Sequence, residues 1–297
     1  MISIAMATYN GAIFLKEQID SILKQTIQDI EIVVCDDCST DKTFDILQEY
    51  AAKDFRVHIY QNEEKLGFKK NFEKAVSLCN GDYIALSDQD DIWKENHLEL
   101  LLRAIKNKSL ACGNSLLIDK DGKYLGMTLK YQESLDFIPE DNLKKVLSIL
   151  LFRNPYQGAS MMINNRLKEI ALPIPDGVDY HDTWFASVAC FLDGVNYIEE
   201  PILNYRRLPN SVTGFRENRK SKWKSFLHCG IFNDRFFIVS SILENKNIIL
   251  SNKEKLFLNT IKKMCVRDKT LEGRIHNNLI KLLHYKTIYS CNLTHWI

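Results

Sequence analysis

The first hundred residues alternate between two hydrophobic periods, and that alternation restricts the fold more than any other feature of the chain. The apolar runs "ISIAMA", "IEIVVC", "RVHIYQ" and "DYIALS" read as strands. Between them, "FLKEQIDSILKQ", "TFDILQEYAAK" and "NFEKAVSLC" have helical spacing, as Phe14, Leu15, Ile19, Ile22 and Leu23 show in the first. A fourth helix, "KENHLELLLRAIKN", follows the fourth strand. Strand and helix in turn predict a mostly parallel sheet with helices on both faces. Right-handed crossovers then gather the loops after the strands along one sheet edge, where ligands bind.

From about residue 109 the rhythm changes. "SLACGNSLLID", "KDG" and "KYLGMTL" predict a hairpin, so the sheet becomes mixed. "QGASMMI" predicts a strand, "NRLKEIAL" and "HDTWFASVACFL" predict helices, and "VNYIEE" and "ILNYRR" predict two short strands. After Gly214 the chain reads as helical and basic. We therefore divide it into an α/β domain over 1–214 and a helical C-terminal subdomain over 215–297.

Charge separates the same two parts. Residues 215–297 hold 16 Lys and Arg against 6 Asp and Glu, whereas 1–214 hold 23 against 32. A basic tail can meet an anionic surface such as a membrane face, or it can simply be a solvated helical face. No secretory leader and no run of 18 apolar residues is visible, so a cytoplasmic protein, at most peripheral on the inner face of the plasma membrane, is expected. The eight scattered cysteines suit reduced thiols. Cys35 and Cys38 in "CDDC" have redox spacing, but two intervening carboxylates oppose a reactive thiolate, and no second ligand pair for zinc is near.

Dinucleotide, P-loop, nucleophile-elbow and zincin motifs are absent. What remains is polar loops, each just after a predicted strand: Tyr9-Asn10-Gly11, Asp36-Asp37 and Asp88-Gln89-Asp90-Asp91. In a parallel sheet they converge on one edge, as a nucleotide and metal site requires. Carboxylates two apart at a strand end can serve Mg²⁺ or Mn²⁺. An EF-hand reading fails because Ile92 and Trp93 stand where an oxygen ligand and the sharp-turn Gly belong. From the residues alone, "SDQDDIW" is compatible equally with a metal site and with an N-cap cluster for a helix starting near Lys94.

The blocks "SIAMATYNGAIFLKEQIDSILKQT", "IEIVVCDDCSTDKT", "GFKKNFEKAV" and "GDYIALSDQDDIW" resemble the successive blocks of family 2 glycosyltransferases. The likeness resumes at "GASMMI", "HDTW" and "EEPILNYRR". "SDQDDIW" with "NYRR" and "NSVTG" is most similar to a bacterial rhamnosyltransferase-like branch. The resemblance implies a GT-A fold, Rossmann-like with a mostly parallel mixed sheet flanked by helices and, here, a C-terminal helical extension. It also implies an inverting enzyme that moves a sugar from a UDP- or dTDP-sugar to a hydroxyl of a bacterial surface glycan or lipid-linked acceptor.

The resemblance assigns roles residue by residue. Thr8, Tyr9 and Asn10 would line the nucleotide, with Tyr9 near the base, and Asp37 would accept a hydrogen bond from a pyrimidine. Lys70 and Asn71 lie where the family contacts the donor. Asp88 and Asp90 would form the D-x-D motif, with Asp90 on Mn²⁺ or Mg²⁺ and Asp88 shared between metal and donor; Asp91 would cap the next helix. Gly158 would let backbone approach the sugar, and Arg206 would pair with the diphosphate. Asp182 would be the general base, with His181 orienting it or capping the helix. Leu208-Pro209 stand where the branch often carries a His. A nucleotidyltransferase, or an inactive nucleotide- or glycan-binding protein, is the competing reading; no nucleic-acid partner is expected.

Overall fold

The computed structural model describes residues 1–132, 138–151, 154–208 and 233–267. Its first half follows the predicted alternation: β1 (Ile2–Thr8), α1 (Leu15–Leu23), β2 (Ile30–Asp36), α2 (Thr43–Lys53), β3 (Val57–Gln61), α3 (Phe68–Leu78) and β4 (Tyr83–Ser87). A two-residue strand, β5 (Ile92–Trp93), then precedes α4 (His97–Ile105). The hairpin β6 (Leu110–Ile118) and β7 (Tyr124–Thr128) forms as expected, turning through Gly122 at φ +81°. After it come α5 (Leu129–Gln132), α6 (Asn142–Leu151), a 3₁₀ turn at Gly158–Ser160, β8 (Met161–Asn164), α7 (Asn165–Ala171), α8 (His181–Ala189) and β9 (Val195–Arg206). Helices α9 (Asn233–Glu244) and α10 (Asn252–Arg267) complete the described residues. None of the described helices is long and apolar enough to cross a membrane.

Among the described residues one nine-stranded sheet runs β3-β2-β1-β4-β8-β6-β9-β5, with β7 paired to β6. Strands β1 to β4 are mutually parallel, and β8 enters antiparallel between β4 and β6. Strand order reverses between β1 and β4: the chain moves outward through β2 and β3 and returns to the other side of β1. Such a switch point opens a crevice at the strand C-termini, the usual ligand position in open α/β sheets. Here it sets the loop after Thr8 beside the loop after Ser87.

Both faces of the sheet are covered, so β1 and β2 are buried along nearly their whole length. Side chains alternate between two cores. Ile4, Met6, Ile32 and Val34 meet α1, α2 and α4 on one face. Ala5, Val33, Ile84 and Leu86 meet α3, α6, α7, α8, α9 and α10 on the other.

Three expectations need correction. The two short strands near the end of the sheet are one strand, β9, which stays paired to β6 through register shifts at Gly113 and Asn114. The helix expected from Lys94 starts at His97, because Trp93 pairs with Leu203 in β9. Between the hairpin and "QGASMMI" no element is expected from the sequence, yet α6 forms there, with Val146, Leu147, Ile149, Leu150 and Leu151 buried in the core.

Candidate active site

The crevice is lined from β1, β2, β4 and α8, and its walls are joined by hydrogen bonds. Thr8 Oγ1 donates to Asp36 Oδ1 at 3.0 Å. Asn10 sits in the left-handed region (φ 49°), and its Oδ1 accepts from the Thr40 amide at 2.8 Å. Tyr9 is 38% exposed, with Lys65 Nζ 3.6 Å from its ring centroid. Asp37 is buried and accepts from Asn62 Nδ2 (2.9 Å) and from the amides of Leu66 (2.7 Å) and Gly67 (2.8 Å). A carboxylate has about four acceptor positions, so one remains for an incoming N–H.

Gln89 is placed by the sequence in the polar loop but given no role. Its Oε1 accepts from the Tyr9 amide (2.9 Å) and its Nε2 donates to the Tyr9 carbonyl (3.1 Å), locking the β1 and β4 loops together. Gly11 makes room for it: a Cβ there would stand 2.2 Å from Gln89 Oε1. The partner of a glutamine across a crevice leaves no mark on the linear sequence.

Asp88 and Asp90 are half-buried and Asp91 is fully buried. Asp91 does not cap α4; its Oδ1 accepts from the Arg206 amide at 2.9 Å. Arg206 is itself 2% exposed and occupied by protein. Its guanidinium pairs with Glu17 at 2.5 Å and donates to the carbonyls of Asp90, Asp119 and Lys120. It is therefore a strut behind the acidic loop and has no free edge to offer a diphosphate. Asn71 is likewise internal: it donates to the Cys35 carbonyl (2.8 Å) and accepts from Asn62 (2.9 Å). Lys70 pairs with Glu73 and Asp176 on the flank of α3, beside an open hollow of about 680 Å³. Cys35 is buried, which pushes its thiol up to about 11, and Cys38 donates to the Asn62 carbonyl.

Asp182 is half-buried in the first turn of α8, next to the acidic loop, and its charge falls on Asp88. Gly158 lies against it: a Cβ there would be 2.9 Å from His181 Nε2 and 3.6 Å from Asp182 Cβ. His181 is buried, its ring stacked on Phe72 at 4.2 Å, and neither ring nitrogen has a hydrogen-bond partner. Burial holds it neutral. It thus packs behind Asp182 and does not orient it through a hydrogen bond.

A family model described as Glycosyl transferase family 2 matches residues 3–166, more than half of the chain. The chain belongs to that family. The putative teichuronic acid biosynthesis glycosyltransferase TuaG of Bacillus subtilis is 29% identical over 76% of this chain and 84% of its own. The dTDP-rhamnosyl transferase RfbG of Shigella flexneri is 30% identical over 74% and 77%. Among solved structures, residues 1–349 of S. aureus TarS in complex with UDP-GlcNAc superpose with TM-score 0.60 at 17% identity, covering 90% of this chain and 72% of that one. That likeness concerns the fold, which is GT-A. The protein is a glycosyltransferase.

The electrostatics of this family 2 site fit a cation. Burial, with the charges of Asp90 and Asp182, raises Asp88 to about 7. Burial also raises Asp90 and Asp91, and Asp91 Oδ2 has no hydrogen-bond partner. The Arg206 charge opposes this for Asp90 and Asp91, and Glu17 already holds its outer edge. Carboxylate oxygens with excess negative charge suit a hard divalent ion. Among the described residues no three His, Cys, Asp or Glu side chains converge as a complete cage. An ion here would therefore draw most of its shell from water and phosphate oxygens.

Proposed function

We propose that the protein is a metal-dependent inverting transferase that moves a sugar from a UDP- or dTDP-sugar to a hydroxyl of a bacterial surface glycan or lipid-linked acceptor. The observation that carries this reading is the placement of Asp182, in the first turn of α8, near enough to the strand-end carboxylates of the β1–β4 switch point for its charge to act on Asp88. The relatives TuaG and RfbG, one named for teichuronic acid biosynthesis and one for dTDP-rhamnosyl transfer, support the substrate class.

Asp37, Tyr9 and Asn10 bind the nucleotide, the Asp37 carboxylate through its remaining acceptor position. Asp90 and Asp88 hold the divalent ion, Mn²⁺ or Mg²⁺, which when bound supplies positive charge to the diphosphate leaving group. Asp182 takes the proton of the acceptor hydroxyl while that oxygen attacks the anomeric carbon. The bond from the anomeric carbon to the diphosphate oxygen breaks on the opposite side, releasing nucleoside diphosphate and inverting the centre. Gly158, packed against His181 and Asp182 without a side chain of its own, lets its backbone approach the donor sugar. The chain region 215–297 would rest on an anionic membrane face; most of its basic residues lie outside the described residues. Flotation with anionic liposomes that weakens with salt is expected, and no binding would remove this partner.

The deciding experiment measures nucleoside diphosphate release from a panel of UDP- and dTDP-sugars with and without Mn²⁺. Asp182→Asn should abolish transfer and keep nucleotide binding; normal turnover would remove Asp182 as base. Asp90→Ala should remove metal-dependent donor binding.

A further inference from the structure

Helices α3 and α8 meet through aromatic side chains, and one pair of these is left open to solvent. Phe72 of α3 is buried, with its ring stacked on His181. Phe68 stands one turn earlier on the same face of α3 and is 43% exposed. Its ring meets that of Tyr180, with centroids 5.9 Å apart and planes tilted by 40°. Tyr180 is 42% exposed. Single exposed apolar residues are ordinary, but two large rings side by side at the rim of a site are not explained by folding, which favours their burial. The pair is also held in place. Gly67 turns the chain at φ +80° and donates its amide to Asp37 at 2.8 Å, and Phe68 is the next residue. Lys69 donates to the carbonyls of Asp176 (2.8 Å) and Val178 (2.7 Å), tying the segment before Tyr180 to the start of α3. The two rings are thus joined to Asp37 on one side, through Gly67, and to Asp182 on the other, through His181.

We propose that Phe68 and Tyr180 form a platform for the acceptor glycan, on which a pyranose ring lies with a hydroxyl presented to Asp182. The proposal rests on Asp182 being the base. Proton transfer needs the acceptor hydroxyl within hydrogen-bond reach of that carboxylate. Whatever carries the hydroxyl must therefore cover the surface next to Asp182. A pyranose has an apolar face of axial C–H bonds, which an aromatic ring can cover, while its hydroxyls project from the edge. Those hydrogens carry partial positive charge and the aromatic face partial negative charge, so the contact is favoured electrostatically as well. Tyr180 adds a phenol that can exchange hydrogen bonds with the hydroxyls. Asp179, exposed and next to Tyr180 in the chain, can accept from hydroxyls and repels anionic lipid headgroups. The patch therefore suits a sugar and not a membrane face.

Phe68→Ala and Tyr180→Ala, with Phe68→Trp as the conservative control, test this. The probes are methyl glycosides of glucose, galactose, N-acetylglucosamine and rhamnose, added in the presence of UDP and Mn²⁺ and followed by saturation-transfer NMR, which needs no turnover. Titration with UDP gives nucleotide affinity, nucleoside diphosphate release gives donor KM, and thermal melting monitors the fold. At least one glycoside should bind the wild type saturably. Each alanine variant should weaken that binding by about tenfold, the usual size of a lost aromatic contact. UDP affinity and donor KM should stay within about threefold, and Phe68→Trp should retain glycoside binding. No saturable binding to the wild type, or equal binding to both alanine variants, would overturn the platform; with Asp182→Asn inactive, the base would still stand. Ring-dependent glycoside binding with normal turnover in Asp182→Asn would remove the base and, with it, the acceptor role of the rings. Weaker UDP affinity in Phe68→Ala would assign the ring to the nucleotide, and weaker liposome flotation would assign it to a membrane. Either result overturns the proposal, as does a parallel fall in glycoside binding, UDP affinity and melting temperature, which would make the rings merely structural.

Discussion

Asp91 shows what a residue's neighbours in sequence can and cannot disclose. Four polar positions in a row after a strand were legible as a loop at the ligand edge, and Asp88 and Asp90 were separable from it as a motif. The partner of Asp91 was not, because the Arg206 amide that occupies it lies 115 residues away. Gln89 is a similar case, and it yields a prediction. Gln89→Ala removes both hydrogen bonds to the Tyr9 backbone, each worth about 1 kcal/mol net. Nucleotide affinity should weaken by about tenfold while the melting temperature changes little; unchanged affinity would show that the Tyr9 loop holds itself. Asp88 gives a second. Its folded value, about 7, exceeds its unfolded one. The folded state therefore binds that proton more tightly, and this group's contribution to stability falls as pH rises from the ordinary carboxylate range through 7. A divalent ion displaces the proton, so the melting-temperature increment from Mn²⁺ should be larger at about pH 8 than at about pH 6. Equal increments would count against Asp88 in the ion's site.

At the scale of elements, the amphipathic helices and buried parallel strands were readable because one face or one run carries the pattern. Helix α6 was not. Residues 145–151 are all buried, Lys145 and Ser148 among them, so its polar positions do not mark a solvent face. Strand β5 was too short to have a signature, and β9 was broken on paper at Pro201 although its pairing with β6 resumes at that residue. The end of β9 is the element on which the acidic loop depends. Arg206 ties β9 to Glu17 of α1, to the Asp90 carbonyl and to the β6–β7 turn, with its guanidinium 4.5 Å from the Phe14 ring. Arg206→Ala should cost about 2–4 kcal/mol, as removal of a buried, hydrogen-bonded partner does. It should also weaken metal-dependent donor binding; chemical denaturation and Mn²⁺ titration read the two effects separately.

At the scale of the molecule, the boundary drawn at 214 divides composition better than it divides packing. Ile238, Val239, Ile242, Leu258, Ile261 and Met264 are each 2% exposed or less and belong to the same core as β1, β2 and β4. Burying six such side chains contributes on the order of 10 kcal/mol, comparable with the net stability of a whole domain. A chain ending at Leu208 should therefore lose its cooperative thermal transition and aggregate, whereas an autonomous first domain would melt as a unit.

The two-faced core also gives the protein a timetable. One face is covered by α1, α2 and α4, all encoded before residue 106, and is completed by Met162 of β8 and by Ile202 and Leu203 of β9. The opposite face waits for helices that arrive as late as residue 264. Until then a nascent chain carries a finished nucleotide edge over an uncovered apolar surface, the kind of intermediate that chaperones recognise.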